Sequence, residues 1–167
     1  MDNTKLDLTQ DVFTDESFES MGWHDCKIHS IAFFPEKYEI AFDVDFILEW
    51  VKPSLNETHF NLLIAPATLV FHNVNEAKFD LEPFTGVNID LVTKYNSRQP
   101  KNLAYLNQKK AEWQWHIECR EGEISFYSVG FSMFLRKPPE IYPSGFPTSE
   151  ERGGISFVRQ SYASNSP

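Results

Sequence analysis

The hydrophobic and polar residues from position 38 to position 46 alternate strictly. Every second position is apolar, and the residues between are mostly acidic: Tyr38, Ile40, Phe42, Val44 and Phe46 alternate with Glu39, Ala41, Asp43 and Asp45. A period of two is typical of a β-strand, because successive side chains point to opposite faces. The pattern therefore predicts a strand with one face in the core and an acidic face in solvent.

The preceding run, residues 27–34, is predicted to form a hairpin with this strand across the sequence "PEK". A two-residue turn would set charged side chains of one strand opposite apolar side chains of the other. A three-residue loop instead places Lys27 opposite Asp45 and His29 opposite Asp43. Cross-strand pairs of opposite charge contribute about 0.2–1 kcal/mol each, which favours the three-residue loop. His29 is then expected beside Asp43 on the solvated face.

A second hairpin is predicted in "EWQWHIECREGEISFYSVGF". A two-residue Glu121–Gly122 turn, in which glycine supplies a positive φ, pairs Arg120 with Glu123. This alignment gathers apolar side chains of both strands on one face: Trp113, Trp115, Ile117, Cys119, Ile124 and Phe126. His116 is expected on the opposite face.

The other β-prone runs are less regular. "ETHFNLLIAPATLVFHNV" contains Pro66, which cannot donate to a ladder and so indicates an edge, a bulge or a break between two strands. "EAKFDLEPF" and "GVNIDLVTKY" predict two short strands, and residues 96–111 predict a long loop. Regular structure is expected to end near Leu135, although "GGISFVRQSYASNSP" could add a short edge strand.

These elements predict a mostly β protein, an antiparallel sandwich or a strongly curved sheet of about seven or eight strands with little helix. A polar N-terminal segment, residues 1–20, holds one short helical turn capped by Thr14. Residues 21–136 form the single β domain, and residues 137–167 a Pro/Gly-rich C-terminal segment and tail. The 167 residues, 15% of them aromatic, are enough for one well-packed core.

The net charge of −9 narrows the class of partner. An acidic surface repels phosphate backbones and anionic lipid, so neither nucleic acid nor a membrane is expected, whereas a basic protein is compatible. The two cysteines are far apart and are expected to be free thiols, and the N-terminus resembles neither a signal nor a transit peptide. These features predict a cytoplasmic protein.

The "WHDC" run allows two interpretations. Adjacent residues of an extended chain point to opposite sides, so His24 and Asp25 are not expected to form a His–carboxylate pair. The favoured interpretation is that Asp25 turns the chain before a strand, while Trp23 closes the end of the core. The alternative is a ligand, metal or catalytic site that combines His24 and Asp25 with other histidines: His59, His72 or His116.

His29, Asp43 and Asp45 form a second candidate, since a histidine and two carboxylates on one face are possible ligands of a divalent ion. Strand residues two apart lie about 6.5–7 Å from each other, which is wide for one ion. A solvated acidic face is therefore favoured, and no metal or cofactor is expected. The sequence has no nucleophile elbow and no nucleotide-binding loop, and Cys119 is predicted to be packing.

The succession of "WHDCKI", "FDVDFILEW", "PATLVFHNV" and "WQWHIECREGEISFYSVGF" resembles a group of small uncharacterised bacterial proteins, some of which are grouped with immunity proteins of polymorphic toxin systems. The resemblance spans about residues 22–136. It implies a cytosolic, non-enzymatic protein that protects its host by masking a toxin. An acidic surface would complement a basic toxin and accelerate the encounter.

The sequence thus predicts a protein-binding domain whose carboxylates meet basic groups of a partner, and the resemblance implies that it is an immunity protein and the partner a toxin. The predicted contact residues are Trp23, His24, Asp25, Glu39, Asp43 and Asp45. The alternative function is a small-ligand or metal-binding protein or an enzyme that uses the His24/Asp25 region.

Overall fold

The structure, a computed structural model, describes residues 5–82, 86–107, 109–143 and 145–165. Its strands are β1 (Val12–Thr14), β2 (Lys27–Phe34), β3 (Glu39–Val51), β4 (Asn61–His72), β5 (Asn75–Leu81), β6 (Val87–Arg98), β7 (Glu112–Cys119), β8 (Gly122–Ser128), β9 (Gly130–Leu135) and β10 (Glu140–Tyr142). One short helix, α1 (Ser149–Arg152), and four 3-10 turns (Asp15–Ser20, Pro35–Lys37, Leu103–Tyr105 and Ala163–Asn165) complete the described elements. In this part of the chain no helix has the length and apolar character needed to cross a membrane.

The strands form one antiparallel sheet in the order β1-β9-β4-β3-β2-β6-β7-β8-β5, with β10 paired to β4 beyond the end of β9. The predicted fold class is confirmed, with more strands than expected. Strands that are distant in this order contact each other through their aromatic rings, which shows that the sheet is strongly curved. The Phe71 ring of β4 lies 4.7 Å from Phe126 of β8, and Trp115 of β7 lies 5.7 Å from Phe131 of β9. The aromatic core fills the space between these two halves of the sheet.

The first hairpin follows the predicted register at one end only. Lys27 pairs with Asp45 as predicted. The loop is longer than predicted, since Phe34 pairs with Glu39, and the pairing shifts at His29, where β2 bulges. The expected pairing of His29 with Asp43 is therefore wrong. The bulge compensates for the extra loop residue, Tyr38, which adopts a left-handed φ of 55°.

The second hairpin has the predicted faces but a different turn. Cys119 pairs with Gly122, so the two turn residues are Arg120 and Glu121, and the predicted pairing of Arg120 with Glu123 is wrong. The observed pairing differs from the predicted one by one residue on each strand, which is two residues in total. Because side chains alternate with a period of two, both pairings place the same side chains on the same face. The apolar face is confirmed: Trp115, Ile117, Cys119, Ile124 and Phe126 are buried, and Trp113 is half-buried.

Pro66 lies inside β4 without breaking it. It pairs with Asp45 of β3 on one side. On the other side, the partner of β4 changes at this point: β10 pairs with β4 as far as Ile64, and β9 pairs with it from Ala67 onward. The proline occupies the gap between these two partners, where no ladder hydrogen bond has to be donated. Of the predicted alternatives, the break lies in the neighbouring strands and not in β4.

Both terminal segments pack on the sheet. The N-terminal segment supplies three core side chains, Leu6, Phe13 and Phe18, and its 3-10 turn is capped by Thr14 as predicted. The C-terminal segment continues past Leu135 with β10 and α1, so the expectation that regular structure ends there is wrong. It also covers the outer face of β3. Residues 40–48 of β3 are consequently all buried, on both faces of the strand.

Candidate functional site

The "WHDC" run is a turn that leads into β2. Asp25 has a left-handed φ of 65°, and the Cys26 amide donates to the Trp23 carbonyl oxygen at 3.1 Å. Trp23 is buried, with its ring edge-on to Phe46. The favoured interpretation is confirmed: Asp25 turns the chain and Trp23 closes the core. The turn also brings His24 Nε2 to 3.6 Å from Asp25 Oδ2, because this stretch is not extended as expected.

His24 belongs to a group of exposed aromatic side chains, which we call the aromatic patch: His24, Trp50 and Phe60. The His24 ring stacks on Trp50 with centroids 6.4 Å apart, and Trp50 meets Phe60 edge-on at 6.1 Å. Trp50 is 43% exposed and Phe60 49% exposed. The patch thus joins the turn before β2 to the β3–β4 hairpin, and it places large apolar surfaces in solvent.

Acidic side chains lie beside this patch. Glu19 and Asp90 line the same shallow depression as His24. Asp25 forms an ion pair with Arg120, which also lies 3.5 Å from Asp90. The surroundings of the patch therefore combine aromatic rings with carboxylates.

Two acidic residues of β3, Asp43 and Asp45, are not solvated. Asp43 and Asp45 have no exposed surface, so the prediction that they form a wet, partner-binding face is wrong. Arg152 of α1 reaches both carboxylates, with Nη2 2.6 Å from Asp43 Oδ1 and Nε 3.1 Å from Asp45 Oδ1. A second arginine, Arg136, also donates to Asp43, at 2.7 Å, and His29 Nε2 lies 2.7 Å from Asp45 Oδ2. We call these five residues the buried ion cluster.

The buried ion cluster fixes the ionisation of Asp43. Burial alone would raise the pKa of this carboxyl, but hydrogen bonds from Arg152 and Arg136 outweigh burial and hold the pKa below its usual value. Asp43 also accepts the Ser156 amide at 3.1 Å. The cluster is therefore a charged clamp that attaches the C-terminal segment to the outer face of the sheet. Within the described ranges, no group of three His, Cys, Asp or Glu side chains is placed to hold a metal ion.

Glu39, the remaining predicted contact residue, belongs to a different arrangement. Its side chain is mostly buried, and His72 Nδ1 lies 3.0 Å from its Oε1 atom. The other ring nitrogen of His72, Nε2, lies 3.0 Å from Ser132 Oγ. Arg159 Nη1 lies 2.6 Å from Glu39 Oε2. Ser132, His72 and Glu39 thus form a continuous Ser–His–Glu relay.

The relay lines a cavity of about 720 Å³. The other walls come from the 3-10 turn after β1, the β2–β3 loop and the loop between β6 and β7. They combine apolar side chains with groups of both charges, among them Asp15, Glu36, Lys37 and Lys110. A cavity of this size is typical of small-molecule sites.

The sequence did not reveal the relay. His72 was considered only as a partner of His24, yet the two histidines line different cavities. Glu39 was assigned to a solvated face and Ser132 to no site. The sequence indicates only that Glu39, His72 and Ser132 each follow an alternating pattern that points them away from the core. Without the strand order that makes β3, β4 and β9 neighbours, this signal does not bring the three together.

Both cysteines are buried. Burial raises the pKa of the Cys26 thiol to about 12, although the Ile47 amide donates to its sulfur at 3.3 Å. Burial also raises the pKa of Cys119 to about 12. Neither sulfur is a thiolate near neutral pH, in agreement with the packing role predicted for Cys119.

Comparison with protein-family models, with curated proteins and with solved structures found no match for the chain.

Proposed function

We propose that the protein binds another protein, and that it acts in the cytoplasm as an immunity protein that masks a basic toxin. The observation that supports a binding function is the aromatic patch of His24, Trp50 and Phe60, with two of its rings about half exposed and carboxylates beside it. The contact surface proposed here keeps His24 and Asp25 of the residues predicted from sequence. It leaves out Asp43 and Asp45, which have no exposed surface. It also leaves out Trp23, which is buried, and Glu39, which is mostly buried.

Exposed tryptophan and phenylalanine supply the kind of surface that dominates binding energy. Aromatic residues are enriched in interfaces, and tryptophan is among the residues whose truncation weakens binding most. In this chain the three rings support one another, since Trp50 contacts both His24 and Phe60. A partner that covered Trp50 would bury a preformed surface and order few new side chains.

The charge of the chain favours a basic partner. A net charge of −9 attracts cationic proteins over a distance set by ionic strength, about 10 Å at 0.1 M salt. Near the patch, Glu19 and Asp90 provide negative charge at the rim of the proposed interface. The proposal therefore combines aromatic contacts for affinity with acidic surroundings for a fast encounter.

The test is affinity capture from the host's lysate at low and high salt, followed by measurement of binding with the purified partner. Trp50→Ala is expected to weaken binding by roughly 30-fold, the effect of a hot spot of about 2 kcal/mol. Phe33→Ala is the matched control, because Phe33 is 61% exposed and forms a separate ring pair with Phe79 at 5.4 Å. It should leave affinity unchanged.

The proposal is abandoned if no partner is captured at either salt. Equal weakening by Trp50→Ala and Phe33→Ala would also contradict it, because binding would then not depend on the aromatic patch. An acidic partner whose binding strengthens at high salt would contradict the assignment of a basic toxin.

A further inference from the structure

The relay of Ser132, His72 and Glu39 has the connectivity of a hydrolytic triad. A serine hydroxyl contacts one ring nitrogen of a histidine at 3.0 Å, and a glutamate contacts the other at 3.0 Å. Such triads are recognised by geometry and roles, not by the order of residues along the chain. We propose that this relay cleaves carboxylic esters that enter the cavity, with Ser132 as the nucleophile. This activity is independent of the proposed protein binding.

The hydrogen positions follow from the partners. A carboxylate only accepts hydrogen bonds, so the Nδ1 atom of His72 carries the hydrogen that it donates to Glu39. The Nε2 atom is then the acceptor, and the Ser132 hydroxyl donates to it. This tautomer is the one in which histidine can take a proton from serine. Glu39 is a positioning residue, since it acts through His72.

Three neighbouring strands hold the relay in place. Glu39 begins β3, His72 ends β4 and Ser132 lies in β9, and these strands are adjacent in the sheet. Each residue is next to a buried one on its own strand, Ile40, Phe71 or Phe131, and therefore points outward, away from the core. The three side chains meet on a rigid surface that is open to the cavity.

Arg159 lies beside the glutamate as its ion-pair partner. Its guanidinium lies 2.6 Å from Glu39 Oε2 and 5.1 Å above the Phe34 ring. The carboxylate thus contacts His72 through Oε1 in a hydrogen bond and Arg159 through Oε2 by charge alone, since Oε2 accepts no hydrogen bond. A glutamate held in this way keeps His72 in a single ring orientation while the proton moves.

The reaction has two balanced steps. Ser132 Oγ attacks the ester carbonyl carbon, and its proton moves to His72 Nε2. The intermediate then collapses, the bond to the alcohol oxygen breaks, and His72 returns the proton to that oxygen. Water next attacks the acyl-serine carbon while His72 takes its proton, and the Ser132–acyl bond breaks as His72 reprotonates Oγ. The net change is an ester and water converted to an acid and an alcohol.

The negative charge that develops on the carbonyl oxygen needs a donor or a cation. Ser132 lies inside a strand that is paired on both sides, with Thr14 of β1 and Val70 of β4. It is therefore not at a turn, where free backbone amides next to the nucleophile could bind the oxyanion. The cavity wall supplies the cations Lys37 and Lys110. In this proposal their ammonium groups stabilise the oxyanion.

The first experiment treats the unmodified protein with a fluorophosphonate and maps the adduct by mass spectrometry. Ser132 Oγ is expected to displace fluoride and form a bond to phosphorus. His72→Gln should reduce the labelling rate about 10²–10⁴-fold, the usual contribution of a general base. His116→Gln is the matched control, because His116 also contacts a glutamate, Glu123 at 2.8 Å, and lies on a distant strand.

The second experiment follows hydrolysis of p-nitrophenyl acetate. Ser132→Ala and His72→Gln should remove the activity above background, and Ser30→Ala, another half-buried strand serine, should retain it. Glu39→Gln should lower kcat with little change in KM, which distinguishes positioning of His72 from a loss of substrate binding.

Absence of an adduct on Ser132 would overturn the proposal. Labelling of Ser132 that His72→Gln does not slow would also overturn it, since the serine would then react without a base. Because the adduct is mapped on the unmodified chain, the proposal stays testable even if Ser132→Ala fails to fold.

Discussion

Replacement of Arg152 by methionine tests whether the buried ion cluster holds the C-terminal segment on the sheet. Arg152 is 4% exposed and contacts Asp43 and Asp45, neither of which has any exposed surface. Methionine fills a similar volume but donates no hydrogen bond, so both carboxylates lose a partner and the link to α1 is removed. Asp43 keeps only Arg136 and the Ser156 amide, and Asp45 keeps His29.

The expected loss of stability is large. Removing one partner of a buried ion pair lowers the free energy of unfolding by about 3–5 kcal/mol, because the other charge stays buried. A domain of this size shifts its Tm by about 2–4 °C per kcal/mol, so Arg152→Met should lower the Tm by roughly 6–20 °C. Arg120→Met is the matched control. Arg120 is 55% exposed, and its pair with Asp25 should contribute less than about 1 kcal/mol.

The effect should depend on pH in a defined direction. The pKa of Asp43 is lowered in the folded protein, so its stabilising contribution is present above the unfolded carboxyl pKa of about 3.9 and is lost as the pH falls through the folded pKa. Without Arg152 the pKa of Asp43 rises, because one guanidinium is left beside it instead of two, and its protonation relieves part of the lost pairing at a higher pH. The stability difference between the variant and the unmodified protein should therefore be full at pH 7 and smaller near pH 3.

Urea denaturation at several pH values measures this difference, and hydrogen exchange locates it. Exchange should increase first in the C-terminal segment, residues 149–162, because Arg152 attaches it to β3. A loss below about 1 kcal/mol for Arg152→Met, equal to that of Arg120→Met, would refute the reasoning. An unchanged difference between pH 7 and pH 3 would refute the assignment of the effect to Asp43.

Two further changes test the core and the thiols. Phe71→Ala should destabilise the protein by about 3–5 kcal/mol in urea denaturation, because this ring contacts four other buried aromatic rings, whereas half-exposed Phe60→Ala should have little effect on stability. Cys26 and Cys119 should not react with a thiol reagent in the native protein and should both react in denaturant, since burial raises both pKa values to about 12; a fast native reaction would contradict the assigned burial.

The fold was largely predictable because its signals are local. Strict alternation identified β3, and the apolar face of the β7–β8 hairpin survived an error in its turn, because a matched shift of both strands keeps each side chain on its face. The turn itself depended on whether Gly122 lies in the loop or in the strand. Gly122 has a positive φ of 134° but is the first residue of β8, so the glycine follows the turn and is not part of it. Periodicity fixes faces more firmly than it fixes pairs.

The burial of Asp43 and Asp45 was not predictable by the same means. Alternation predicts that the two faces of a strand differ in polarity. It does not distinguish an acidic face that is covered by water from one that is covered by arginine side chains. The arginines that cover it, Arg136 and Arg152, come from segments with no periodic signal, more than 90 positions away. Only the tertiary structure brings them to β3. The chemistry predicted for these carboxylates, contact with basic groups, is present, but the basic groups belong to the same chain.

This internal pairing changes which carboxylates can attract a basic partner. The side chains of Arg136, Arg152 and Arg159 neutralise Asp43, Asp45 and Glu39, so the net charge of −9 is carried by the rest of the chain.

Exposed carboxylates near the aromatic patch are therefore the ones that should steer a partner. Glu19→Lys, beside His24, should lower the association rate at low salt and have little effect at high salt, because screening removes the attraction. Glu36→Lys, in the β2–β3 loop at the opposite end of β3 from Trp50, makes the same change of charge away from the patch and should slow association less. Kinetic binding measurements at two salt concentrations separate these outcomes. Equal slowing by the two variants would mean that net charge alone attracts the partner, and that the carboxylates beside the aromatic patch have no special part in the encounter.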